Sequence, residues 1–172
     1  MRACLLLLLW LGGISIVVGQ QPATLALPPQ AQAMLYAKLS DWRYVSVPEQ
    51  VQQALRREHG AGVSPALISG DFDGDGRADY AAFIEHGTQS SGGAPSCLAI
   101  FLQQQDSFKL YVIDGVNADY IQLIHKGDGS YDFETQKQFV YQHDAIDAVI
   151  FEKAATSYVY EQGRFRAIIT GD

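Results

Sequence analysis

Asp71, Asp73, Asp75 and Asp79 fall within nine residues of one another, inside the stretch Ser69 to Ile84. Carboxylates crowded this tightly repel one another unless something cationic sits between them. Counted from Asp71, they occupy loop positions 1, 3, 5 and 9. Gly76 stands at position 6, where a calcium loop turns sharply, and Arg77 at position 7, where the backbone carbonyl is the donor. An EF-hand would need a bidentate Glu at position 12, and Ala82 is there instead. The flanks, Ala66-Leu67-Ile68 and Tyr80 to Ile84, are short runs of apolar, branched and aromatic residues, which read as strands. The expectation is one Ca2+ loop joining two strands. Its ligands are the side chains of Asp71, Asp73, Asp75 and Asp79, the carbonyl of Arg77, and water. The alternative is a hairpin loop in which Asp and Gly serve turn geometry alone. It accounts for two or three of these residues but not for the whole pattern.

Gly70-Asp71-Phe72-Asp73-Gly74-Asp75-Gly76 with Asp79-Tyr80-Ala81 resembles the Asp-x-Asp-Gly-Asp-Gly-x-x-Asp calcium loop of the FG-GAP and VCBS repeat families of secreted proteins. The resemblance implies the same ligand set and an exported protein. It covers one loop, whereas those families carry several and build a propeller. The tail, from Asp144 through Phe151-Glu152-Lys153 and Gly163-Arg164-Phe165-Arg166 to Asp172, resembles small uncharacterised exported bacterial proteins.

Residues 1–19 read as a signal peptide. Arg2 supplies the positive start, and Leu5 to Val18 is an apolar run too short for an ordinary membrane span. Cleavage is expected after Gly19, which gives a periplasmic or secreted chain; retention as an N-terminal anchor is the alternative. Residues 20–29, rich in Gln, Ala and Pro, read as a flexible leader, and 30–172 as a single domain. The net charge of −7 becomes −8 when Arg2 is lost, which argues against nucleic acid and anionic membrane surfaces as partners. Of two cysteines, Cys4 belongs to the signal segment. Cys97 is then left without an intramolecular partner, and its apolar surroundings suggest a buried small hydrophobe rather than a reactive thiol.

The expected fold class is α+β, with two N-terminal helices followed by an antiparallel β-meander and the calcium loop in its first hairpin. The first helix covers 30–39. The second is expected to start at a capping box, Ser46-Val47-Pro48-Glu49, to bury Val51, Ala54 and Leu55, and to close at Gly60, with His59 a solvated cation at its end. Strands are expected at 66–69, 79–85, 97–103, 108–113, 119–125, 145–152, 156–162 and 164–170. Turns are expected at 103–107, 126–129 and 162–163, and an exposed small-residue loop at 87–96. No repeat of 20–50 residues stands out. Both helices would cover one face of the sheet.

The sequence points to no enzyme. His59, His86, His125 and His143 lack zinc spacing, and neither a Gly-x-Ser-x-Gly elbow nor a phosphate loop is present. His143-Asp144 suggests a base with its orienter, but neighbours along a strand face opposite ways. The leading expectation is an exported calcium module that binds a protein, peptide or glycan on an aromatic sheet face formed by Phe139, Tyr141, Phe151, Tyr158, Tyr160 and Phe165. A secreted hydrolase with an acidic active site is the alternative.

Overall fold

The computed structural model describes residues 25–60, 63–87 and 95–171, apart from the side chain of His59. The expected signal peptide, most of the leader, most of the small-residue loop and the reading of His59 lie outside the described residues. Of the leader, residues 25–28 are described, and Leu27 is buried against the sheet.

Two apolar runs dictate the architecture. Ala81-Ala82-Phe83-Ile84 and Cys97 to Leu102 are buried throughout, so the strands that carry them need cover on both faces. These are β3 (Asp79–Glu85) and β4 (Ser96–Gln103), at the centre of a five-stranded antiparallel sheet. β5 (Phe108–Asp114) lines one side of the pair. On the other side β2 (Leu67–Gly70) pairs with the first half of β3, and β1 (Arg43–Tyr44) with its last two residues. A second antiparallel sheet contains β6 (Tyr120–Ile124), β9 (Ala145–Ile150), β10 (Ala154–Glu161) and β11 (Arg164–Gly171), in the order β11-β10-β9-β6. A separate hairpin, β7 (Gly129–Asp132) with β8 (Lys137–Val140), adjoins β11, where Phe133 N donates to Ile169 O at 3.0 Å.

The α+β class holds, but the single meander does not. The chain leaves the first sheet at Gly115 and Val116, whose N–H groups donate to Ser96 O. It re-enters as β6, which pairs with β9 and not with β5. The main core lies between the sheets: Ile68, Ala81, Phe83, Leu98 and Ile100 on one side, Ile121, Ile146 and Ala148 on the other.

The helices also part company. α1 (Pro29–Lys38) covers the outer face of the first sheet, setting Leu27, Ala31 and Leu35 on Ala82, Ile84, Cys97, Ala99 and Phe101. α2 (Glu49–His59) packs Val47, Val51 and Leu55 against Tyr120, Val149 and Phe151 of the second sheet. A single sheet with both helices on one face would leave the apolar runs half exposed; here the second sheet covers their other face, and α2 covers the outer side of that sheet. The expected capping box does not form either. Pro48 is the N-cap, in an extended conformation, and no side chain caps the helix. Instead Gln52 Nε2 donates to Val47 O at 2.8 Å. α1 begins the same way, with Pro28 as N-cap and Gln32 Nε2 donating to Leu27 O at 2.7 Å. Leu27-Pro28, Ala31-Gln32 and Leu35 therefore recur twenty residues on as Val47-Pro48, Val51-Gln52 and Leu55, a repeat of one helix-entry motif.

Ile146→Ala, in the core between the sheets, is expected to cost about 2–5 kcal/mol in denaturant unfolding. Ile169→Ala, on the exposed side of β11, should stay within about 0.5 kcal/mol. Similar small losses at both positions would rule out the two-layer core.

Candidate functional site

The acidic loop spans residues 71–78, between β2 and β3. Phe72, at loop position 2, is fully buried in the core and anchors the loop. Around it the carboxylates fold inward. Asp71 Oδ2 accepts Gly76 N at 3.1 Å, and Asp73 Oδ1 accepts Asp75 N at 3.1 Å. Asp79 has no solvent exposure; its two oxygens accept Phe72 N at 2.9 Å and Gln103 N at 2.7 Å. Asp71, Asp73 and Asp79 each bring one carboxylate oxygen within 4.8 Å of the other two.

Asp75 stands apart from that trio. Its Oδ1 accepts Arg77 N at 2.9 Å, and its Oδ2 pairs with the Arg77 guanidinium. The Arg77 side chain is thus engaged with the loop itself. Two features fit the donor set to a cation. Asp71 Oδ1 is buried with no hydrogen-bond partner, an arrangement that is costly for a carboxylate oxygen. Burial also pushes the Asp79 carboxyl up to about 6, against the opposing pull of its two backbone donors. Asp73 is raised by burial first and by the neighbouring Asp75 and Asp71 charges next.

The loop is bolted to the other sheet by Asp144. Asp71 N donates to Asp144 Oδ2 at 3.0 Å, Asp144 N returns a bond to Asp71 O at 3.2 Å, and Lys126 N donates to Asp144 Oδ1 at 3.0 Å. His143 lies in a bend and Asp144 follows it just before β9; neither is in a strand. Both therefore reach the acidic loop, and the opposite-faces argument does not apply to them. The imidazole lies against Gly74: a Cβ there would meet His143 Nδ1 at 2.1 Å. Gly74 also sits at φ +78°, so this position excludes side chains twice over. His143 Nδ1 is buried without a partner. Sequence spacing concealed His143, which lies some seventy residues from the loop; Gly74 at loop position 4 was the only local sign of a close neighbour.

Beside His143 opens a cleft of about 410 Å³, lined by Asp73, Tyr141, Asp144, Tyr160 and Glu161 among others. The expected aromatic face is largely taken up inside the protein. Tyr158, Tyr160 and Phe165 pack on the core between the sheets, and Phe151 packs with α2. Tyr141 is buried, its hydroxyl 2.7 Å from Ser157 Oγ. That contact belongs to a buried polar group, absent from the sequence reading, in which Asp147 Oδ1 accepts Ser157 Oγ at 2.7 Å and Thr170 Oγ1 at 3.3 Å. The exposed apolar side chains of this region are Tyr131, Phe133 and Val140 on the β7–β8 hairpin, and Ile169 beside it. Cys97 is fully buried, as expected, and burial pushes its thiol up to about 11.

Gly74→Ala is expected to destabilise by about 2–4 kcal/mol, combining left-handed strain with overpacking on His143. Gly76→Ala, at φ +83° but facing open space, should cost about 1–2 kcal/mol from strain alone. Adding His143→Ala should recover part of the Gly74→Ala loss and none of the Gly76→Ala loss, a coupling readable in a double-mutant cycle.

No family model, curated protein or solved structure matches this chain.

Proposed function

We propose that this chain is an exported calcium-binding protein in which one Ca2+ serves structure. The ion is held by Asp71, Asp73, Asp75 and Asp79 with the Arg77 carbonyl and water, in the manner of the FG-GAP and VCBS loops it resembles. The observation that carries the reading is the orphaned, buried Oδ1 of Asp71, set beside the carboxylates of Asp73 and Asp79. Asp75 joins the set by exchanging its Arg77 pair for the ion. Calcium suits the site better than magnesium, because a cage of several protein oxygens favours the larger ion. Bound there, it would offset the repulsion within the loop and stiffen the junction that Asp144 makes with the second sheet.

The chain acts in the periplasm or outside the cell, as an interaction module and not as an enzyme. For a protein, peptide or glycan partner, the supporting surface is the exposed Tyr131, Phe133 and Val140 of the β7–β8 hairpin. Among the described residues no helix is long and apolar enough to cross a membrane. One observation favours a second reading, a secreted hydrolase with an acidic active site: the cleft beside the loop gathers Asp73, His143, Asp144 and Glu161.

A thermal melt of the chain from Gln20 tests the calcium reading. With no bidentate Glu, a Kd of about 10⁻⁴ to 10⁻³ M is expected. About 5 mM calcium should then add about 1–2 kcal/mol over EDTA, a rise of several degrees. Asp71→Asn should abolish the rise while changing the melt in EDTA little. A wild-type melt indifferent to calcium would leave the aspartates as turn chemistry.

Acid should weaken the site. The Asp79 carboxyl, raised to about 6, must be deprotonated to bind, so below that pH a proton competes with the ion. Calorimetric titration is expected to give an affinity about tenfold weaker at pH 5 than at pH 7. Equal affinities would remove Asp79 from the ligand set.

A further inference from the structure

We propose that His86, Cys97 and Asp114 form a second metal site, which takes a zinc ion with its fourth position open to water. The three residues come from neighbouring strands at one end of the first sheet. Cys97 on β4 faces Ile84 of β3 on one side and Asp114 of β5 on the other. Residues directly opposite each other in a sheet share a face, and His86, two residues beyond Ile84, returns to that face. Imidazole, thiol and carboxylate thus converge, each with one ligand atom within 4.8 Å of the other two.

His86 Nε2 lies 3.7 Å from Asp114 Oδ1, too far for a hydrogen bond. It is close to the separation of about 3.3–3.6 Å that zinc bond lengths impose on two tetrahedral ligands. The backbone around the trio is fixed. His86 N donates to Pro95 O at 3.2 Å, Gly87 N to Asp41 Oδ2 at 3.0 Å, and Gly115 N to Ser96 O at 3.0 Å. Cys97, fully buried, forms the floor, while the Asp114 side chain is 77% exposed, so the fourth position opens to solvent.

Packing alone accounts for a buried Cys97. An ion pair accounts for His86 beside Asp114 but leaves out the sulfur, whereas a zinc ion would engage all three. A sulfur, nitrogen and oxygen donor set suits zinc and disfavours calcium or magnesium. On binding, the Cys97 S–H bond is replaced by S–Zn and the proton passes to solvent; no oxidant or reductant takes part. The site is independent of the acidic loop, which lies at the other end of β3.

Cobalt(II) added to the metal-stripped chain from Gln20 is the probe. One equivalent should produce a thiolate-to-cobalt charge-transfer band in the near ultraviolet and strong visible bands of a tetrahedral ion, and zinc should displace both. Cys97→Ser should abolish the charge-transfer band. Asp114→Asn, a change at an exposed side chain, should weaken cobalt binding by more than about tenfold, as losses at metal sites do. It decides the matter if Cys97→Ser does not fold. Asp71→Asn should leave the band unchanged. A wild-type chain with no charge-transfer band, a band that survives Cys97→Ser, or cobalt affinity indifferent to Asp114→Asn would overturn the proposal.

Discussion

The Asp79 carboxylate has no contact with solvent, and much of the fold is arranged around it. A buried carboxylate is costly unless its oxygens are satisfied. Here one oxygen takes Phe72 N, which closes the acidic loop on itself, and the other takes Gln103 N, which fixes the far end of β4. The Asp79 backbone carbonyl accepts Ser69 Oγ at 2.7 Å, tying in β2. One residue thus joins the loop to three strands. Burial holds the carboxyl up at about 6 despite the pull of these bonds.

Asp144 carries that arrangement into the second sheet. Its exchange of hydrogen bonds with Asp71 is a two-point clamp between layers whose shared core is apolar. Apolar packing between sheets is non-directional and tolerates sliding; a pair of directed bonds does not. The loop therefore shares in setting the register of the two layers, with Ile121 N donating to Pro65 O at 2.9 Å and the Tyr111 hydroxyl donating to Gly163 O at 3.0 Å, and a cation among its carboxylates would act on that junction. A structural ion there would have leverage beyond its own hairpin.

Local signals were the legible ones. β3 falls on the expected 79–85, because Asp-Tyr-Ala-Ala-Phe-Ile-Glu joins a turn residue to an apolar run without ambiguity. Asp71, Asp73 and Asp79 converge because their spacing curls one short segment. What stayed hidden depends on contacts distant in the chain. Nothing near Asp114 announces that the next strand joins a different sheet, although the unbroken apolar runs of β3 and β4 already required cover on two faces. β7 and β8 are four residues each and mostly polar, so they lacked a strand signature. Ser46 matched a capping pattern, but Pro48 holds the entry extended, and Gln52 bonds the Val47 carbonyl instead. The same device at Pro28 and Gln32 made the twenty-residue repeat, which five matched positions were too few to reveal.

β3 acquires a particular role from this geometry. Its seven residues span about 23 Å, with the acidic trio at its start and the His86, Cys97 and Asp114 trio just past its end. Between them every residue from Ala81 to Ile84 is buried, so the strand can neither slide nor fray without exposing apolar surface on both faces. Such a strand fixes Asp79 at one end and the approach to His86 at the other, while β4 and β5 carry Cys97 and Asp114. The two donor sets also differ in kind, oxygen alone at one end and sulfur, nitrogen and oxygen at the other. Hard and soft cations would therefore sort between the ends by chemistry and need not compete for one site.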